Sequence, residues 1–140
     1  MLNQKIYKFL ILTKKIRITS SNHILVNVKI NYVEGIFIID TGASNSCINL
    51  LSASKFNLVY EKSIENASSA TNYILQTFYS NKNIIEIGNI LKDNFKVFLF
   101  DMTHINESLN EKVDGIIGSD ILKEFNAIID FKNKLLKLDF

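Results

Sequence analysis

Proline is absent from the 140 residues, and cysteine and histidine are scarce. The single cysteine, Cys47, cannot form a disulfide within the chain, and the presence of only two widely spaced histidines argues against a structural zinc site. We therefore expect neither a metal nor another cofactor. A lone thiol is compatible with a reducing compartment, which predicts a cytoplasmic location.

Neither charge sign is in excess, since 16 lysines and arginines stand against 14 aspartates and glutamates. The net charge of +2 is too small to indicate a nucleic-acid partner.

Long apolar runs are missing as well. Residues 9–12 form the longest near the N-terminus, far short of the ~20 residues that cross a bilayer, and no small-residue cleavage site follows them. We expect no stable membrane insertion and interpret this run as a strand.

The remaining composition is that of a folded domain. Hydrophobic residues make up 47% of the chain and charged residues 21%, which excludes a disordered or low-complexity sequence. A chain of this length can bury about two thirds of its unfolded surface, so it needs no disulfide or structural metal to fold stably. Because the sequence contains no linker and no long repeat, we predict a single domain over residues 1–140.

Hydrophobic periodicity predicts two paired strands early in the chain. Apolar and polar residues alternate over residues 24–32, as is typical of a strand with one buried face. Glu34 and Gly35 predict a turn. The continuous apolar run at residues 36–39 predicts a strand buried on both faces. This hairpin would place Asp40 at the end of a core strand.

The rest of the chain predicts more short strands and two short helices. Asn49 is expected to cap the first helix, and Ser119 or Asp120 the second. Residues 101–112 are polar and predict a loop, with room for one helical turn. The expected strands are residues 62–67 and 70–80 around a polar tip at 66–69, then 84–87, 95–100 and 113–117, and a closing hairpin of 127–129 and 135–138. This pattern predicts an all-β protein with a closed or folded-over sheet.

The stretch Asp40-Thr41-Gly42 carries the first chemical signal. A carboxylate at the end of a buried strand is costly unless it is hydrogen-bonded or functional. Thr41 adds a hydroxyl beside the acid, and Gly42 allows a tight turn and a close approach. Taken alone, the three residues favour a strand end followed by an Asx-type turn.

A second stretch, about 75 residues later, contains Ile116-Ile117-Gly118 followed by a helix start. With both stretches, the chain resembles the retropepsin-like aspartic proteases, and in particular their bacterial members. The resemblance covers roughly residues 22–140. Asp40-Thr41-Gly42-Ala43 resembles the catalytic signature of that family, and Ile116-Ile117-Gly118 resembles the motif that packs beneath the catalytic loop. The expected fold is a closed, barrel-like half-lobe with one or two short helices.

The resemblance implies an aspartic endopeptidase that acts on peptide or protein substrates as a homodimer. Each chain of such a dimer contributes one aspartate, here Asp40, and the two carboxylates share a proton and activate a water. Thr41 would bond across the dimer axis, and the backbone of Gly42 would face the carboxylates and the substrate. Residues 62–80 occupy the place of the flap that covers the substrate. The sequence contains a single Asp-Thr-Gly, as a half-site requires.

Two features depart from the retroviral pattern. Ser44 and Ser119 stand where those enzymes carry an aspartate and an arginine, and the expected flap tip contains no glycine. Two alternatives to the endopeptidase therefore stay open. The first is a catalytically silent module of this fold that binds a peptide or protein, and the second is an unrelated small β-barrel in which Asp-Thr-Gly is only a turn.

Other chemical candidates are weaker. Cys47 has no neighbouring base in the sequence, so we interpret it as a buried structural residue rather than a nucleophile. His23 and His104 are isolated, and we expect neither to be a ligand or a base. The remaining aspartates lack the spacing of a metal-binding loop.

Overall fold

The computed structural model describes residues 3–63, 67–68 and 74–139. Strands predominate among these residues, as the all-β prediction requires. The strands are β1 Thr13–Ile18, β2 Ile24–Ile30, β3 Val33–Ile39, β4 Cys47–Asn49, β5 Glu61–Lys62, β6 Ala67–Ser68, β7 Ile74–Leu75, β8 Phe78–Ile87, β9 Ile90–Phe100, β10 Gly115–Ile117, β11 Ile128–Asp130 and β12 Leu135–Lys137. The helices are α1 Gln4–Leu12, α2 Thr103–Leu109 and α3 Ser119–Glu124, with a 3₁₀ turn at Leu50–Ser52.

Six strands form a closed barrel. Their order is β2, β3, β10, β4, β9 and β8, and the pairing of β8 with β2 closes the circle. Strand β10 lies between two neighbours of opposite direction, since it runs parallel to β3 and antiparallel to β4. Strands β1, β12 and β11 extend the sheet beyond β2. The closed, barrel-like fold predicted from the sequence is confirmed.

The core fills the barrel, and a smaller apolar layer lies outside it. Val26, Val28 and Ile30 of β2 are buried and alternate with exposed Asn27 and Lys29, which confirms the period-two prediction for that strand. Strand β3 is buried on both faces, also as predicted: Phe37 belongs to the barrel core, and Ile38 packs in the outer layer with Leu25. Ile105 and Leu109 of α2 cover this outer layer.

The β2–β3 turn lies three residues earlier than the sequence indicated. Asn31 and Tyr32 have φ values of 49° and 70°, the left-handed conformations of a two-residue hairpin loop. Asparagine tolerates this conformation, and the Asn31 side chain also donates to the Phe56 carbonyl oxygen and accepts from the Ile84 backbone N–H. The predicted turn at Glu34 and Gly35 is therefore wrong, and Gly35 pairs with Val28 inside the hairpin.

The N-terminal apolar run is helical rather than extended. The Asn3 side chain accepts a hydrogen bond of 2.9 Å from the Ile6 backbone N–H and thereby caps α1. The prediction of a strand over residues 9–12 is wrong because it gave no weight to this cap, and extended structure begins only at Thr13. Within the described part of the chain, no helix combines the length and hydropathy that a bilayer crossing requires.

Two other helices differ in detail from the expectation. Residues 101–112, expected to form a loop, contain α2, whose start is fastened by Asp101: its carboxylate accepts from the Thr103 hydroxyl and backbone N–H. These two hydrogen bonds lower the pKa of Asp101. The cap of α3 is Gly118 rather than Ser119 or Asp120, which lie inside the helix. The predicted cap at Asn49 is confirmed, since its side chain accepts from the Leu51 backbone N–H, but the element that it caps is the 3₁₀ turn Leu50–Ser52 and not an α-helix.

The region expected to form the flap is partly described. Strand β5 pairs with the start of β8, and β6 pairs with β7. Ala67 and Ser68 thus belong to a strand rather than to the polar tip predicted at residues 66–69. The two outer residues of that tip, Asn66 and Ser69, lie outside the described residues.

Substitution of Gly115 by alanine should strongly destabilise the fold. An added Cβ would lie 2.2 Å from the Cys47 carbonyl oxygen, which is backbone and cannot rotate away. We expect a loss of about 3 kcal/mol or more in the free energy of unfolding, measured by urea denaturation.

The matched control for this substitution is Gly42→Ala, where an added Cβ meets only the Asp40 carboxylate oxygen at 3.2 Å. That side chain can move, so we expect a loss below about 1 kcal/mol. Equal stability of the Gly115→Ala protein and the wild type would contradict the tight packing of β10 against β4.

Candidate active site

Asp40 lies where β3 ends, in a tight turn at the barrel rim. Its backbone N–H donates to the Ile117 carbonyl oxygen at 3.0 Å, which continues the pairing of β3 with β10. Its carbonyl oxygen accepts from the Ala43 N–H at 3.1 Å, and its carboxylate oxygen Oδ1 accepts from the Gly42 N–H at 2.9 Å. Asp40, Thr41 and Gly42 are exposed in the single chain, so another molecule can reach them.

The second motif packs directly beneath this turn. Ile116 and Ile117 of β10 pair in parallel with Ile38 and Ile39, so both strands end at the same level. Gly118 follows, and a Cβ at that position would lie 2.6 Å from the Ala43 carbonyl oxygen. The glycine therefore permits the close contact between the two motifs.

The structure thus brings together all seven residues that the sequence predicted for the site. They are Asp40, Thr41, Gly42, Ala43, Ile116, Ile117 and Gly118. Their roles in catalysis stay predictions.

A hydrogen-bonded network that sequence reasoning missed holds the same region. The Ser46 hydroxyl donates to Asp120 Oδ1 at 2.6 Å, and the Ser46 backbone N–H donates to Asp120 Oδ2 at 3.0 Å. The Gly118 N–H donates in turn to the Ser46 hydroxyl at 2.8 Å. Ser46 and Asp120 are 74 residues apart, so no local pattern could have connected them.

Hydrogen bonds to backbone also replace the ion pair of the retroviral pattern. Ser119, at the position of the arginine, donates through its backbone N–H and its hydroxyl to the Ala43 carbonyl oxygen, at 2.8 and 3.1 Å. Ser44, at the position of the aspartate, is exposed. The contact between the two motifs therefore needs no buried charge pair, which would incur a desolvation cost.

An open cleft of about 380 Å³ adjoins the turn. Thr41 and Ser119 line it, and apolar surface comes from Leu122 of α3, Ile129 of β11 and Ala127 between these two elements. Its position beside Thr41 makes this surface continuous with the exposed turn.

Cys47 is half-buried, and its thiol donates to the Asn45 carbonyl oxygen at 3.6 Å. Burial, together with the nearby negative charge of Asp120, raises the pKa of Cys47 to about 12. The thiol is therefore neutral at physiological pH, which supports a structural role over a nucleophilic one.

Both histidines are exposed, and His23 directly precedes Ile24, which pairs with Ile39 next to Asp40. His23 is bound to Ser21 in an exposed loop, and the side chain of His104 is 93% exposed. Among the described residues, no three His, Cys, Asp or Glu side chains are grouped so that they could hold a metal ion.

The aspartyl protease family matches residues 26–121, more than half of the sequence. The chain belongs to this family. The family recognised from the two motifs is thereby confirmed. No match was found among curated protein sequences.

Solved structures show the same fold. A retropepsin-like aspartic protease from Rickettsia conorii is similar over 90% of this chain and 98% of its own, with a TM-score of 0.64 and 21% identity. The retroviral protease-like domain of Ddi1 from Leishmania major is similar over 82% of this chain and 86% of its own, with a TM-score of 0.59 and 20% identity. The EIAV protease complexed with an inhibitor matches over 82% of this chain and 99% of its own, with a TM-score of 0.61 and 15% identity.

The Cys47 thiol should resist alkylation in the folded protein. Its pKa of about 12, against an ordinary value of 9.0, means roughly 1,000-fold less thiolate at about pH 8. We expect iodoacetamide to modify the native protein at least about 100-fold more slowly than the same chain in urea, as measured by mass spectrometry. Comparable rates in the two states would reopen the interpretation of Cys47 as a reactive group.

Proposed function

We propose that this protein is an aspartic endopeptidase whose active site assembles from two copies of the chain. The observation that carries the proposal is the Asp40 turn: an exposed carboxylate at the end of a buried strand, oriented by the Gly42 N–H and supported by Ile117 from beneath. Membership in the aspartyl protease family supports the same chemistry. In this proposal, residues 1–140 act as one catalytic domain.

A single chain supplies half of the required machinery. Aspartic-protease chemistry uses two carboxylates that share one proton, because two adjacent carboxylates cannot both be ionised. The sequence holds one Asp-Thr-Gly, so the second carboxylate comes from the partner's copy of Asp40. The exposure of Asp40, Thr41 and Gly42 in the isolated chain is compatible with a partner that covers them.

The reaction then follows from the paired carboxylates. The ionised member removes a proton from a water, and that water attacks the carbonyl carbon of the scissile peptide bond. The protonated member donates a hydrogen bond to the carbonyl oxygen as negative charge develops there. The Gly42 N–H keeps one carboxylate oxygen of Asp40 oriented throughout, since it donates to Oδ1. The substrate is a peptide or protein segment that lies between the dimer and the hairpin region of β5 to β8.

The first test is the mass in solution. Analytical ultracentrifugation at micromolar concentration should give about 32 kDa, twice the chain mass of 16.0 kDa.

Thr41→Val should weaken this dimer and Thr41→Ser should not, because serine keeps the hydroxyl that would bond across the axis and valine lacks it. An unpaired buried donor costs about 1–3 kcal/mol, and a two-fold axis doubles that cost. A strict monomer at high concentration would sink the dimeric mechanism.

The second test is peptide hydrolysis by the Asp40→Asn variant. Asparagine has nearly the same shape but cannot exchange a proton, so we expect loss of at least about 1,000-fold in kcat while the fold and the dimer persist. For the wild type, the rate should fall at both low and high pH, because the reaction needs one carboxyl protonated and one ionised. A fluorogenic peptide library provides the assay.

The matched control is Asp101→Asn, because Asp101 makes the same contact at the end of another strand. Its Oδ1 accepts from the backbone N–H two residues later, as in the Asp40 turn. This variant should keep its activity. Hydrolysis that survives Asp40→Asn would assign the chemistry to other residues. A wild type that binds peptides without cleaving them would support the silent binding module instead.

A further inference from the structure

We propose that Ser46 and Asp120 are positioning residues that hold the Asp40 turn in its reactive geometry. Their role in catalysis rests on the function proposed above. Neither residue belongs to the two motifs, because Ser46 follows the first motif in the chain and Asp120 follows the second.

Every polar group of Ser46 is hydrogen-bonded to the framework around the site. Its N–H and hydroxyl both donate to the Asp120 carboxylate at the start of α3, and its hydroxyl accepts from Gly118 at the end of β10. Its carbonyl oxygen accepts from the Phe98 N–H of β9 at 3.1 Å. Ser46 is 1% exposed, so water cannot replace these bonds. One serine therefore joins three elements immediately after the Asp40 turn.

Asp120 makes the arrangement specific for a carboxylate. Its Oδ1 accepts from the Ser46 hydroxyl and from the Ile121 N–H at 2.9 Å, while its Oδ2 accepts from the Ser46 N–H. Each of the two oxygens thus faces a backbone N–H. An asparagine would place its amide NH₂ group against one of these donors in either orientation, so it could not reproduce the network.

The network connects to Asp40 through short backbone steps. Gly118, which the Ser46 hydroxyl holds, follows Ile117, and the Ile117 carbonyl oxygen accepts from the Asp40 N–H. Ser119 on the other side of Gly118 donates to the Ala43 carbonyl oxygen. Release of Gly118 would therefore loosen both ends of the turn. A displacement of about 1 Å in a reacting group can reduce the rate about 100-fold.

The experiment compares native-state amide exchange at Gly42 and Ala43, measured by NMR, in Ser46→Ala, Asp120→Asn and the wild type. We expect exchange at these two amides to accelerate at least about tenfold in both variants, while the amide of Val28 in β2 stays protected. Asp120→Asn keeps the measurement decisive should Ser46→Ala fail to fold.

The matched control is Ser52→Ala, which removes another hydrogen bond from a serine to an aspartate. The Ser52 hydroxyl donates to Asp114 Oδ1 at 2.9 Å, and Asp114 lies at the opposite end of β10. We expect exchange at Gly42 and Ala43 to stay within about twofold of the wild type in this variant. Unchanged exchange in both test variants, or an equal acceleration in the control, would overturn the proposal.

Kinetics separate positioning from general destabilisation. In Ser46→Ala and Asp120→Asn, kcat for peptide hydrolysis should fall up to about 100-fold with KM nearly unchanged, and Ser46→Thr, which keeps the hydroxyl, should recover part of it. A rise in KM with kcat intact would overturn the role in positioning. A wild type without peptidase activity would overturn the proposed function alone, because amide exchange does not depend on turnover.

Discussion

The short strand β10 is the element on which the site depends, because it is inserted between β3 and β4. Its backbone bonds give the end of β3 a fixed neighbour, and Asp40 follows at that end. The insertion is possible only because two glycines flank the apolar pair. A side chain at Gly115 would meet the Cys47 carbonyl oxygen, and one at Gly118 would meet that of Ala43. Close backbone packing on both sides leaves β10 little freedom to move.

Two carboxylates fasten β10, one before it and one after it. Asp114 Oδ2 accepts from the Ile36 N–H of β3 and from Lys55, and its Oδ1 accepts from Ser52. Asp120 binds Ser46, just before β4. Each carboxylate thus joins the β10 segment to a strand that is distant in sequence. Because hydrogen bonds to charged acceptors are stronger than neutral ones, these two contacts define the register at both ends.

This arrangement explains how the chain dispenses with the aspartate–arginine pair of the retroviral enzymes. Ser119 donates to the Ala43 backbone carbonyl oxygen. The Asp120 carboxylate accepts hydrogen bonds from Ser46 and from the Ile121 N–H at the start of α3. Holding one carboxylate with several hydrogen-bond donors avoids the need to orient a long arginine side chain. In this chain, serine and aspartate side chains therefore connect the two motifs.

Much of the fold could be predicted because its signals are local. The alternation in β2 and the apolar run in β3 reflect which faces of the strands are buried. Asp-Thr-Gly and Ile-Ile-Gly are short contiguous motifs, so they can be recognised directly in the sequence. Errors arose where two local signals competed. Asn31, rather than Gly35, forms the β2–β3 turn, and the Asn3 cap made a helix of the N-terminal apolar run.

The sequence by itself determined the class of fold, the family and the seven residues of the two motifs, since each depends on residues that are neighbours in the chain. Only the tertiary structure decided what supports them. Contacts such as Ser46 with Asp120, 74 residues apart, arise when β10 is inserted into the barrel, and the burial that raises the pKa of Cys47 arises in the same way. A contact between residues so far apart produces no recognisable pattern in the sequence. Whether two remote side chains form a hydrogen bond depends on where the strands place them and not on their spacing along the chain.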